Sequence, residues 1–409
     1  MTAPLASLRV IESSLLEPSQ LGSHLAELGA DVIKVEAPGE GDYARKLAWP
    51  FIDGVSILHW HCNRGKRSIA IDLRTDDGVA TYLDLVAGAD VVIEGMRPGA
   101  LARRGLTYER FVEVNPRIVV CTLSGFGLTG PYRDVPSHGI AFDAWSGHAP
   151  PAVDDDGFTY IGEHSTIGTK AGPLYSAIGI LAAVIRARET GEPCWLEVAQ
   201  TDAAAAVNWL KIEGWKAYER PEDEVTGNPT DGGVRRPPGV TGMRDGVRYQ
   251  YYETADGGHV LFMASEREFW KNFCDGIGRP DLFEAHPGAT YADHALGDTE
   301  LRRQLRDIFL TRSAQEWVAF GREANTTIAP VNDAHTICDD PQFQDRMAFL
   351  PAADHGTELL PSPIKLVGEE LDAPARSPEV GQHTDAVLSE VLGYDDARIA
   401  ALRSAGAVA

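Results

Sequence analysis

The chain has 409 residues, 44% hydrophobic and 24% charged, enough for two domains around buried cores. A formal net charge of −23 excludes nucleic acid and an anionic membrane as main partners, since both demand a basic surface, but it leaves an anionic small ligand open. Five scattered cysteines without a C-x-x-C pair point to reduced thiols, with neither a disulfide framework nor a structural metal.

Met1 to Leu8 lacks a basic region followed by an apolar core. The longest apolar stretch, Ala171 to Ile185, is interrupted by Gly172, Pro173 and Gly179, so a cytoplasmic location is expected. Short β-branched runs at Leu8–Glu12, Asp31–Glu36, Ser68–Leu73, Asp90–Glu94 and Arg117–Leu123 alternate with helical spacing at Gln20–Leu28 and Asp76–Ala87. That alternation predicts an α/β fold, an open parallel sheet with helices on its faces. Gly172–Arg188 is apolar on almost every face and reads as a buried helix, followed by a strand at Trp195–Val198 and a helix over Gln200–Trp215. Prolines and glycines between Glu219 and Gly246 break all periodicity, as a linker or functional loop would. Tyr249–Thr254 and His259–Ala264 bracket a hairpin turn, and helical patterns then run through Phe320, giving a smaller α+β domain. The expected organisation is a large domain over 1–218, a linker and small domain over 219–328, and a return to the large domain over 329–409.

A G-x-G-x-x-G after the first strand, a P-loop and a G-x-S-x-G elbow are all missing, which excludes the standard dinucleotide fold, P-loop NTPases and α/β-hydrolases. Seven basic residues (Arg64, Lys66, Arg67, Arg74, Arg97, Arg103, Arg104) fall within about forty positions. Of these, Lys66, Arg67, Arg74 and Arg103 lie beside strand ends, where phosphates of a ligand collect, unless they form a solvated basic face. His59, His61 and Cys62 are expected to pack around Trp60 rather than bind metal. His138 and Glu163-His164 are candidate acid–base groups, and Asp154–Asp156 reads as a solvated turn.

The segment Leu123-Ser-Gly-Phe-Gly-Leu-Thr-Gly-Pro-Tyr-Arg133 resembles the S-G-F-G-x-T-G-P-Y segment of the class III CoA-transferase (CaiB/BaiF) family, which includes formyl-CoA transferase and 2-methylacyl-CoA racemase. Leu28–Glu36, Asn63–Leu73, Arg97–Leu101, Ala177–Leu181 and Gly381–Asp385 agree in order and spacing. The resemblance implies a Rossmann-like large domain built from both ends of the chain, a smaller inserted domain, and two chains interlocked like links. It implies coenzyme A, as a thioester substrate, near Leu15, Leu16 and Glu17, on Ile71 and Arg74, and on Gly95, Met96 and Arg103. Gly95-Met96 replaces a more usual Asn-Phe pair, and Ala37 stands where some members place a basic residue. Gly232 and Gly233, within Asp231–Val234, match by the resemblance a glycine loop that closes over intermediates, with a plain surface turn as the alternative.

In transferases of this kind an aspartate carboxylate attacks the thioester; the corresponding position here is Thr169, whose hydroxyl is a poor nucleophile without an adjacent base. Glu163 and Asp143 are candidate substitutes. His138 occupies the position of the racemase histidine. The resemblance therefore leaves three readings: a CoA-transferase acting on an acyl-CoA and a carboxylic acid, an acyl-CoA racemase or isomerase using His138, and a non-nucleophilic CoA-binding subunit paired with an aspartate-bearing paralogue. The first two allow an interlocked homodimer, the third a heteromer, and none calls for nucleic acid, membrane or metal.

Overall fold

The computed structural model describes residues 3–225, 230–231, 234–235, 243–289 and 293–409. Two units divide the chain: residues up to Trp209 with Met347–Ala409, and Leu210–Arg346.

In the first unit the strands are β1 (Arg9–Ser14), β2 (Asp31–Glu36), a small hairpin of β3 (Phe51–Ile52) and β4 (Val55–Ser56), β5 (Arg67–Ala70), β6 (Val91–Gly95), β7 (Val119–Ser124), the hairpin β8 (Pro151–Val153) and β9 (Thr159–Ile161), and β10 (Cys194–Ala199). Six of them form one parallel sheet in the order β10-β7-β6-β1-β2-β5. Starting at β1, the chain winds outward through β2 and β5, returns to the other side of β1 as β6, and winds outward again. Both faces are apolar, as a covered parallel sheet requires. Ile11, Ile33, Val92 and Val120 pack with α3 (Asp76–Ala87) on one face. Val10, Val32, Val91 and Ile93 pack with α1 (Gln20–Ala26) and α6 (Gly168–Thr190) on the other. Each fully buried aliphatic side chain contributes about 1.5–3 kcal/mol, so adjacent strand residues stabilise opposite layers.

The sheet edge at β5 is closed by the returning segment. Ile71 pairs with Val408 in an antiparallel bridge, the Ala409 amide donates to the Ala70 carbonyl at 3.2 Å, and the His383 amide to Ser68 at 2.9 Å.

Two expectations are corrected. The helix read as buried is α6, but Leu174, Tyr175, Ile178 and Ile185 on its outer side are exposed, Ile178 by 65%. By length and composition this helix would also suffice to cross a membrane, although half of the relevant window is buried within the fold. The continuous helix over Gln200–Trp215 is instead two, α7 (Gln200–Val207) and α8 (Trp209–Tyr218), parted at Asn208, whose side chain donates to the Ser146 carbonyl at 2.8 Å.

The second unit carries a short pair Thr230–Asp231 and Val234–Arg235 and a three-stranded antiparallel sheet of Tyr249–Glu253, His259–Met263 and Ile328–Pro330, with the first two strands forming the expected hairpin. Its core is aromatic: Tyr252, Phe262, Trp270, Phe273, Phe309 and Trp317 interlock, several at ring separations of 4.6–6 Å. Gly232 and Gly233 of the expected glycine loop lie outside the described residues.

Candidate active site

The strand order reverses between β1 and β6, and in open α/β sheets ligands bind at such a point, in the crevice beyond the carboxyl ends of the strands. Leaving β1, the chain makes a sharp turn at Leu16, whose φ of +60° with ψ of −143° is a conformation that costs a non-glycine residue about 1–3 kcal/mol. The turn is held in several ways. The Leu16 amide donates to both Asp42 carboxylate oxygens at 3.2 and 3.3 Å, and the Leu15 amide approaches the Gly95 carbonyl at 3.4 Å. Pro18 then opens a single 3-10 turn, Glu17–Ser19. Gly95 lacks a side chain for a local reason: a Cβ there would sit 2.7 Å from Ser14 Cβ and 3.0 Å from Pro18 Cβ. Leu16, Glu17, Gly95 and Met96, far apart in sequence, therefore meet at this crevice.

Under the turn lies a buried set of balanced charges. Lys34 Nζ reaches Asp42 at 2.6 Å, Ser19 Oγ at 2.7 Å and Asn63 Oδ1 at 2.9 Å; Lys66 Nζ pairs with Glu12 at 2.7 Å; Arg45 grips Glu36 through two bonds. Burial alone would lower the Lys34 pKa, but Asp42, Glu12 and Glu36 together outweigh it and hold the ammonium above its ordinary value. The Asp42 carboxyl is pushed up by burial, yet Lys34 and the amides of Ala44 and Leu16 bring it below its usual range.

These contacts correct the reading of Lys66 and Arg67 as phosphate ligands. Lys66 is consumed inside the core, and Arg67 binds Asp31 bidentately at the opposite, amino end of the sheet. Arg64 is likewise buried against Glu27. Arg74, Arg97, Arg103 and Arg104 remain exposed in the segments that follow β5 and β6. Arg74 chelates Asp72, holding that carboxyl at about 2, and Arg103 donates to the Pro98 carbonyl at 3.3 Å. Ile71 is a core residue, 1% exposed, while Met96 packs partly against the same core.

A second group of residues arrives from α5 (Gly139–Ser146) and α6. Asp143, fully buried on α5, accepts the amides of Ile167 at 2.8 Å and Gly168 at 3.0 Å, capping the start of α6. That cap sets Thr169 in the first turn, 2% exposed, its hydroxyl buried without a hydrogen-bond partner among the described residues. Gly139 abuts it. The point where a Gly139 Cβ would sit is 3.0 Å from Thr169 Cγ2 and 3.8 Å from Glu17 Oε2, so the gap between those two atoms is no wider than the sum of these distances, 6.8 Å. His138, the residue before Gly139, is exposed and its ring caps nothing. Glu17 is half-buried, and no described residue hydrogen-bonds its carboxylate. Burial raises its pKa above the ordinary value; the Lys170 ammonium offsets part of that, while Asp143 adds to it.

Glu163 is exposed in the segment after β9 and is not brought against Thr169 by any described contact. Asp143 is present but committed to the α6 cap. His59 and His61 lie on a helix, α2 (Ile57–Asn63), not an extended segment, so residues two apart point about 200° from each other. His59 bonds the Pro378 carbonyl and Asn63; His61 bonds Gln20 and Arg64. Burial first, and neighbouring cations second, push their pKa values down to about 3 and about 4. Asp154 closes the β8–β9 turn by accepting the amides of Asp156 and Phe158. Lys34, Asp42, Gly139 and Lys170 carry the site's geometry without having stood out in the sequence; the one signal was an isolated lysine inside the apolar run of β2.

The sequence model of CoA-transferase family III matches residues 5–384. The chain is 30% identical over 398 residues to the succinate–glutarate CoA-transferase of Agrobacterium fabrum, covering 95% of this chain and 96% of that protein. It is 27% identical over 411 residues to the succinyl-CoA–L-malate CoA-transferase beta subunit of Chloroflexus aurantiacus, covering 98% of each. A crystal structure of a CAIB/BAIF family protein from Brucella suis superposes with a TM-score of 0.76 at 27% identity, covering 96% of this chain and 100% of that one.

Proposed function

The chain belongs to CoA-transferase family III, and from that premise we propose that this enzyme moves CoA from an acyl-CoA thioester to a free carboxylic acid at the β1–β6 crevice. The observation that carries the reading is that Arg97, Arg103 and Arg104 stand exposed after β6, the neighbour of β1, whose own following turn brings the Glu17 carboxylate toward Thr169 at Gly139. Arg103, Arg97 and Arg104 after β6, with Arg74 after β5, supply cations of the kind that bind the CoA phosphates. Leu16, Gly95 and Met96 provide close-packed backbone and an apolar edge for the pantetheine arm. Ile71, 1% exposed and paired with Val408, offers a ligand almost no surface and supports the strand end from within the core.

The assembly is part of the proposal. Leu174, Ile178 and Ile185 of α6 are exposed, as are Val153, Phe158 and Ile161 on the β8–β9 hairpin, Phe158 by 71%. Apolar exposure on this scale suits burial against a second chain. A homodimer accounts for it most simply. The beta-subunit relative makes a heteromer with an aspartate-bearing paralogue the competing assembly. A cytoplasmic setting accords with reduced cysteines and a CoA thioester substrate.

The test is direct. The purified protein, sized by native mass spectrometry, is mixed with succinyl-CoA and a panel of acids beginning with glutarate and malate, and acyl-CoA products are separated by chromatography. A dimer that forms new acyl-CoA in proportion to enzyme is expected; a dimer that binds CoA yet transfers it to none of the acids would rule out the stand-alone transferase.

The exposed His138, next in sequence to the Gly139 that borders Thr169 and the Glu17 carboxylate, favours a second reading, α-proton chemistry. In deuterium oxide a 2-methylacyl-CoA should then gain deuterium at its α-carbon, and His138→Ala should abolish the labelling. Unlabelled substrate after many turnovers' worth of time removes this reading.

A further inference from the structure

The transfer reading leaves its nucleophile open, because Thr169 stands where a carboxylate is needed. Its hydroxyl is buried, no base bonds it, and an ester formed on it would not be activated toward returning thiolate. Asp143 is sealed in the core with one oxygen spent on two amides, and Glu163 lies away in solvent. One carboxylate is left at the gap.

Resting on the transferase reading, we infer that Glu17 is the covalent nucleophile, its carboxylate reaching from the β1 turn the place that an aspartate at position 169 would have reached from α6. Three observations converge on it. Glu17 Oε2 and Thr169 Cγ2 lie within 4 Å of the same point beside Gly139, so the carboxylate faces the gap rather than solvent alone. Its oxygens take no hydrogen bond from any described residue, which leaves both lone-pair sets for substrate. The turn that presents it is strained at Leu16 and held there by Asp42 and by the close approach of Gly95, as expected where backbone strain serves a reactive residue. Lys170, on the next residue after Thr169, supplies a cation near the carboxylate.

The chemistry balances without any further reagent. A Glu17 oxygen attacks the thioester carbonyl, a C–O bond forms, the C–S bond breaks, and CoA leaves as thiolate. The thiolate attacks Glu17 Cδ of the resulting anhydride, releasing the first acid and leaving a glutamyl-CoA thioester. The incoming carboxylate attacks the same Cδ and expels the thiolate, which then attacks the new acyl carbon. Free Glu17 carboxylate and the new acyl-CoA are regenerated, with no net proton or electron transfer.

The experiment uses the full-length protein with succinyl-CoA in the presence of hydroxylamine, followed by peptide mass spectrometry, beside CoA-transfer assays of Glu17→Gln and Glu17→Asp. A hydroxamate on the Glu17 peptide is expected. Glu17→Gln should lose transfer by about 10³-fold or more while still binding CoA, and Glu17→Asp should recover part of it. Lys170→Met, which removes the offsetting cation, should move the acidic limb of the kcat/KM profile to higher pH, a change that a structural role for Glu17 would not produce. Wild-type protein that transfers CoA without a modified Glu17, together with a Glu17→Gln variant within tenfold of wild type, overturns the assignment and leaves the transferase reading standing. Wild-type protein that binds CoA and transfers nothing overturns both.

Discussion

Lys34→Met is expected to destabilise the protein by about 3–5 kcal/mol and to abolish catalysis, because the substitution leaves Asp42 buried beside no cation. Lys34 and Asp42 are almost fully buried and 2.6 Å apart, so the stranded carboxylate has no water to turn to. The loss is to be measured as a shift of the urea unfolding midpoint. The double variant Lys34→Met/Asp42→Leu separates two effects. Replacing both charges by apolar groups removes the stranded charge and should recover most of the stability. It should not recover activity, because the Leu16 amide has lost the acceptor that fixes the turn carrying Glu17. Recovery of both together would show that the pair only supports the fold.

Asp143→Ala should cost about 2–4 kcal/mol, since it deprives two amides at the start of α6 of a charged acceptor. Asp143→Asn keeps an oxygen for those amides and should cost much less. The asparagine variant also isolates an electrostatic effect. The Asp143 charge raises the Glu17 pKa, so its removal lowers it, and the acidic limb of kcat/KM should move to lower pH. This is opposite in sign to the shift expected for Lys170→Met. A pH profile that moves the same way in both variants would exclude Glu17 as the group that titrates.

The fold was legible because burial on two faces leaves a coarse mark. Val10-Ile11, Val32-Ile33 and Val91-Val92 are unbroken β-branched pairs, and a strand with both faces covered needs such pairs. The strand order was not legible from periodicity. It depends on which edges pair, and nothing local distinguishes β2 from β6 as a neighbour of β1. At the site, residue type was readable but commitment was not. Lys66 and Arg67 looked as available as Arg103, yet their partners Glu12 and Asp31 are distant in sequence and meet them only in the folded sheet. The apolar character of α6 was read correctly, but composition cannot distinguish a face covered by its own chain from one that the single chain leaves bare. For Glu17 the resemblance implies contact with the ligand. Its second possibility emerged only when Gly139 placed it opposite Thr169.

The way Met347–Ala409 returns to the first unit bears on how the protein is made. At about 5–20 residues per second, the intervening stretch of about 140 residues occupies the ribosome for roughly 7–30 s after Trp209 has been added. Throughout that interval Ser68, Ala70 and Ile71 have no partners along the β5 edge, and Arg45 lacks the Pro378 carbonyl it binds at 3.1 Å. An open strand edge of this kind is a template for pairing with a neighbouring nascent chain. Slowing translation between codons 210 and 346 should therefore lower soluble yield more than slowing it within the first 200, and a chaperone that shields strand edges should restore it.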